Sequence, residues 1–289
     1  MTTALDTIGQ RKQPTDISQA TAVEQSRAIA EVQAAVYVAQ ANPRSLERAV
    51  AEMREACSRM ALAKVAFYTV PNRGHDKSVH LARELARIWG NIDYGVRELS
   101  RDDDKGQSEV LAYAWDQQAN TRPSRSFINP HAKMVSKKRV ELTDLHDIYL
   151  SNQNIGARAV RECIFTVLPT WFTEEAADLC KATLEKGQDG ESVADRITKM
   201  VAAFAAQNVD VKRLEAKVGK PRDRWTVQDL ADAAIWYTSI TRDGVKAEDL
   251  FPEQVVTAAE VQGKAATAPR PTADPDFVQE PPADWEPSR

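Results

Sequence analysis

The sequence is poor in the residues that mark most chemistries. Its 289 residues hold only three cysteines, Cys57, Cys163 and Cys180. An odd, widely spaced set excludes a disulfide framework and reads as reduced core thiols in a cytoplasmic protein. The four histidines, His75, His80, His131 and His146, have no ligand spacing with any cysteine, so no metal site is expected. No apolar run approaches the ~20 residues of a membrane helix. "MTTALDTIGQRKQPTD" lacks the apolar stretch of a signal peptide, and no membrane partner is expected. Phosphate-cradling motifs are missing too. "NRGHDKSV" and "KVGKPRDR" both lack the G-x-x-x-x-G-K-[ST] pattern, which disfavours an ATP-driven strand exchanger or helicase. Asp102, Asp103, Asp104 and Glu109 crowd one stretch, but no lysine follows Glu109, and they read as a solvated turn rather than a nuclease centre. No serine or cysteine has the local signature of a nucleophile. The chain is therefore expected to be no enzyme, with no catalytic residue and no cofactor.

The net charge of −4 lies at one end. From Glu253 onward there are three basic and seven acidic residues, which accounts for all of it and leaves residues 1–252 formally neutral. Residues 253–289 are read as a disordered, acidic, proline-rich tail, too poor in apolar surface to fold alone. Two roles suit such a tail. It can compete with an anionic ligand for a basic groove, or dock on a partner through Trp285.

Hydrophobic periodicity gives an α+β reading: a small antiparallel sheet of three to five strands flanked by helices, with a helical C-terminal half. Residues 1–16 read as a mobile arm, 17–170 as an α+β core, and 171–252 as a helical region. A helix follows Thr15-Asp16 or Ser18 and runs to about Gln40. A second starts after Asn42-Pro43 and runs through Leu46, Val50, Met53, Cys57 and Met60 toward Leu62. "KVAFYTV" is a strand and "PNRGHDKS" a loop. In "VHLARELARIWGNIDYGVREL" the period then changes from helical to alternating at Trp89-Gly90-Asn91. A helix ending there hands over to a strand, with Trp89 packing over the sheet edge. "SEVLAYAWDQQ" completes an antiparallel hairpin, and "SRSFINPHAKMV" is a third extended stretch. Beyond Thr143-Asp144, "TDLHDIYLSNQN" and "GARAVRECIFTVLP" read as two helices joined near Asn154-Ile155-Gly156. Three more follow: one capped by Thr173, then "ESVADRITKMVAAFAAQN" and "TVQDLADAAIWYTSITRDG".

What is present in quantity is positive charge beside flat rings. Between Asn120 and Val140 lie Arg122, Arg125, Lys133, Lys137, Lys138 and Arg139, with no acid and with Phe127 and His131 interleaved. Cations neutralise phosphates and rings stack on bases, which is how a single-stranded nucleic acid groove is built. The same composition also suits a basic surface loop. Arg158 and Arg161 share a helical face. Gly156, Ala157 and Arg158 read as a first helical turn whose free N–H groups favour a phosphate, with Asn152 and Asn154 adding hydrogen bonds. Arg83 and Arg87 are four apart and can extend that surface. The competing reading pairs these arginines with neighbouring acids such as Glu162, Asp147 and Glu84.

The element order resembles a known family. "HLARELARIWGNI", the hairpin "GVREL…SEVLAYAW", a basic third strand and "LTDLHDIYLSNQNIGARAVRECIFTVLP" are similar to the phage single-strand annealing proteins of the RecT/Redβ/Erf group. The likeness spans roughly residues 45–170. It implies ATP-independent binding of single-stranded DNA, annealing of complementary strands and assembly of copies into rings or filaments. A phage exonuclease or a host single-strand-binding protein is implied as a further partner, in the cytoplasm of an infected or lysogenic bacterium. The neutral body and acidic tail depart from that pattern. An assembly or scaffolding protein without DNA-binding activity explains them equally well.

Overall fold

The computed structural model describes residues 18–71, 73–135, 138–187 and 190–252. The expected arm, the acidic tail and Lys137 lie outside the described residues. The fold is α+β. In chain order it runs α1 (Gln19–Ala41), α2 (Leu46–Cys57), α3 (Met60–Ala63), β1 (Phe67–Val70), β2 (Gly74–Lys77), α4 (Val79–Trp89), β3 (Ile92–Asp102), β4 (Gln107–Asp116), β5 (Ser124–Pro130), β6 (Ala132–Val135) and β7 (Lys138–Glu141). Helices follow: α5 (Leu145–Val167), α6 (Thr170–Lys186), α7 (Val193–Ala205), α8 (Val211–Val218), α9 (Val227–Thr241) and α10 (Ala247–Leu250). None of the described helices is long and apolar enough to cross a membrane.

Antiparallel β3, β4 and β5 form the main sheet in that order, while β1–β2 and β6–β7 are separate hairpins. Side chains directly across a ladder share a face. One face therefore carries Val96, Ala112 and Arg125 in one row and Glu98, Val110 and Phe127 in the next. The other carries Gly95, Tyr113 and Ser124, then Arg97, Leu111 and Ser126. Helix α5 covers the first face. Its Asn152 accepts from Asn129 Nδ2 at 2.7 Å and donates to Glu98 at 3.3 Å, and the Cys163 thiol approaches the Ala112 carbonyl at 3.8 Å.

The helix-to-strand hinge is built by two left-handed residues, Gly90 (φ 76°) and Asn91 (φ 55°). The Asn91 side chain donates to the Asn42 carbonyl at 3.1 Å and to Gln118 at 3.1 Å, so it also ties down the end of α1. Trp89 packs toward α6. It is buried against Phe172 of α6, with centroids 4.8 Å apart, and Arg44 lies over its ring at 5.1 Å. Arg44 also grips Asp116 at the end of β4 with both terminal guanidinium nitrogens. Burial alone would raise the Asp116 carboxyl. Arg44 and the Ala119 and Gln118 amides outweigh it and hold that carboxyl below the usual range.

The first core is made by α2, α4, the α5-facing side of the sheet, α5 and α6, with Met53, Leu81, Leu85, Ile164 and Phe172 fully buried. Each contributes roughly 1.5–3 kcal/mol through burial. Helix α6 and, through Ala231 and Ile235, α9 belong to this core, and a second core lies among α7–α10. It gathers Phe204, Leu214, Trp225, Leu230 and Phe251.

Several expected boundaries move. The helix expected through Met60 and toward Leu62 breaks at Ser58–Arg59, where the Thr183 hydroxyl of α6 donates to the Cys57 carbonyl at 2.8 Å. The "PNRGHDKS" loop contains β2, held as a partner of β1. The third extended stretch ends at Pro130, and β6 pairs with β7 instead. Buried His131 marks the corner, 2.8 Å from the Ser108 hydroxyl. The two helices expected across Gly156 are one continuous α5. Gly156 is there because a Cβ would meet Val96 of β3, not because the helix stops. Helix α6 starts at Thr170, not after Thr173, whose hydroxyl is turned back to the Thr170 carbonyl at 3.0 Å. Helix α1 is capped by Ser18, whose Oγ accepts from Thr21 N at 3.2 Å. Of its residues only Ala39 is buried.

Candidate nucleic-acid interface

Gly156 fixes which way α5 faces. With position 156 against Val96, positions 154, 158 and 161 fall on the opposite side of the helix, away from the sheet. There Asn154, Ala157, Arg158 and Arg161 line a cleft of about 680 Å³. Tyr68, Thr69 and Val70 of β1, the start of α4 at Ser78, Val79 and His80, and the turn after α9 at Arg242 and Asp243 complete it. The α4 entry belongs there for a local reason. Ser78 is its N-cap and accepts from the His80 and Leu81 amides at 3.2 and 3.3 Å. The positive end of the α4 dipole thus opens on the cleft.

The cleft combines cations with a flat ring. The Arg161 guanidinium lies over the Tyr68 ring at 4.7 Å and binds Glu162 at 2.6 Å. Burial works against its charge, yet Glu162 and the Tyr68 hydroxyl outweigh that and raise its pKa above the ordinary guanidinium value. Burial also raises the Tyr68 phenol, with Arg161 acting in the opposite sense. Arg242 binds the neighbouring Asp243 at 2.9 Å. Arg158 is exposed and has no ion-pair partner among the described residues. His80 is held below its usual pKa by burial and by the nearby Arg242 and Arg83 charges. A phosphate entering here meets one free guanidinium, two partly neutralised ones and a helix N-terminus.

The residues expected from sequence separate into several places. Asn154, Arg158 and Arg161 line the cleft. Their anion-binding role cannot be that of a first helical turn, because in continuous α5 the N–H groups of residues 156–158 lie in the interior of the helix. Arg125 and Phe127 lie on the α5 side of the sheet, at its β5 edge. Arg122 stands on the far side, 4.8 Å over the Tyr113 ring and 5.4 Å over Trp115. Lys133 and Arg139 are on the β6–β7 hairpin, paired with Asp147 at 3.4 Å and Glu141 at 2.9 Å, while Lys138 there is exposed. Arg87 is held by Glu84 and Glu52 at 2.8 and 2.9 Å, as the ion-pair reading had it. Arg83 is exposed on α4 one turn beyond His80. Because α5 and the sheet stand between Arg122 and Arg158, those two do not line one groove. Tyr68, His80 and Arg242 were not singled out by sequence. Only alternation in "VAFYTV", which sets Tyr68 opposite Phe67 and Thr69, carries a local signal.

The chain matches no protein-family model, no curated protein and no solved structure.

Proposed function

We propose that this protein binds single-stranded DNA in the cleft between α5, β1 and the start of α4, and anneals complementary strands without a nucleotide. The observation that carries the reading is the cleft itself. Arg158 stands unpaired beside Arg161, Arg242 and the stacked Tyr68, in a groove open enough for a backbone. The resemblance in element order to the RecT/Redβ/Erf group supports the same reading, and so does the lack of a phosphate-cradling motif. The mechanism needs no bond broken. Phosphate contacts hold one strand without regard to sequence, its bases stay available, and a second strand tests pairing. Assembly of several copies aligns many such grooves and multiplies weak contacts.

The test is annealing of complementary oligonucleotides, followed by fluorescence quenching, with no nucleotide and no divalent cation. Acceleration over the spontaneous rate, lost in Arg158→Ala, is the expected result. A requirement for ATP, or cleavage of the strands, contradicts the reading.

One observation favours an interaction protein instead. Helix α1 leaves Val23, Ile29, Val32, Tyr37 and Val38 exposed, with Tyr37 at 74%. So much apolar surface on one helix marks a protein contact. Under that reading the wild-type protein binds no DNA.

A further inference from the structure

The side of the main sheet turned away from α5 carries a second arrangement that the cleft does not use. Tyr113 of β4 lies across β3 where Gly95 leaves room; a Cβ there would sit 3.2 Å from the ring. Two guanidiniums rest on that ring, Arg97 at 5.2 Å and Arg122 at 4.8 Å. Arg122 also covers Trp115, whose indole N–H donates to Asn120 at 3.2 Å and fixes the turn that delivers Arg122. Both arginines are exposed, and neither has an ion-pair partner among the described residues. The aromatic rings hold the two guanidiniums over the sheet face. Each then offers an outer planar face to a base and N–H edges to a phosphate. Ser124 and Ser126, exposed on the same face, add hydroxyl donors.

We propose that this outer sheet face is a second surface for single-stranded nucleic acid, independent of the cleft. The inference rests on the single-strand reading given above. It adds that each chain holds two strands, one on each side of the layer formed by α5 and the sheet. Asp93 and Glu109 share the outer face, by their register opposite Trp115 and Ile128. The platform is therefore less cationic than the cleft, and base stacking on the guanidinium planes carries more of the binding there. Binding at this face should fall less steeply with salt than binding in the cleft.

The experiment is the saturating stoichiometry of short oligothymidylate per chain, measured by titration and analytical ultracentrifugation of the full-length protein. Wild type should take two oligonucleotides per chain, and Arg97→Gln with Arg122→Gln should take one, with the residual binding lost on adding Arg158→Ala. Ser126→Glu supplies an independent variant. It leaves the stacked rings in place and sets a charge beside them, so it should also reduce two to one. Wild type taking a single oligonucleotide, or either outer-face variant still taking two, overturns the second surface while leaving the cleft reading intact. Wild type taking none overturns the cleft reading as well. Loss of self-association in the variants without a change in stoichiometry would make the face a contact between copies and overturn the proposal.

Discussion

A single methyl group added at position 156 would meet Val96 Cγ1 at 2.7 Å and Cγ2 at 2.9 Å. Alanine favours a helix interior over glycine by about 1 kcal/mol. Here overpacking against β3, which costs about 1–3 kcal/mol, should win, and Gly156→Ala should destabilise the protein by a net amount of up to about 2 kcal/mol in urea unfolding. An unchanged or higher midpoint would mean that α5 does not approach the sheet so closely. In the sequence this glycine looked like a break, because a glycine for close approach and one for chain reversal are the same letter. The hinge at Gly90-Asn91 was legible, since the hydrophobic period changes there within a few residues. His80 makes a second residue-scale test. Burial and the Arg242 and Arg83 charges lower its pKa in the free protein. A phosphate beside it favours the charged form, so binding takes up a proton. Affinity for single-stranded DNA should then rise as pH falls from about 7.5 to about 5.5. His80→Gln should flatten that dependence. An affinity that stays level or weakens over the window in wild type would place the backbone away from His80.

At the scale of elements, the hairpin β3–β4 and the cap of α9 follow from local chemistry. Alternation and a polar turn specify the first. Thr226 and Asp229 specify the second as a reciprocal capping box. What was not legible was set by distant partners. Strand β2 is polar, with exposed positions at Gly74 and Asp76, and its ladder with β1 makes it a strand. Helix α8 is short, and Leu214 is its one fully buried anchor in the second core. Helix α1 presents the opposite case: its helical pattern is clear, yet almost none of it is covered. Truncation before Val36 should leave thermal stability nearly unchanged, because residues 18–34 are all exposed. The mass of any assembly should fall, as measured by light scattering. A large loss of stability, or an unaltered mass, would contradict the view that α1 serves contacts between proteins.

At the scale of the whole molecule, charge is a matter of placement rather than total. Residues 1–252 are formally neutral, and net charge alone argues against a nucleic-acid partner. The fold changes that by sorting. It ties Arg44, Arg54 and Arg87 to acids in or beside the first core, and leaves Arg158 in the cleft with no ion-pair partner among the described residues. The spacing of Arg158 and Arg161 was enough to place them on one side of a helix, and both line the cleft, with Arg161 bound by Glu162. The sequence could not supply Tyr68 or Arg242, which come from remote segments and meet α5 only in the folded chain. The most direct test of the account is the salt dependence of binding to oligothymidylate, compared between wild type and Arg158→Ala. Each phosphate contact on a single strand contributes about 0.7 to the slope of log K against log salt. Wild type should bind in a salt-sensitive manner, and the variant should bind more weakly with a slope shallower by about 0.7. Equal affinity and slope in a folded Arg158→Ala protein, or no binding by wild type at low salt, would contradict it.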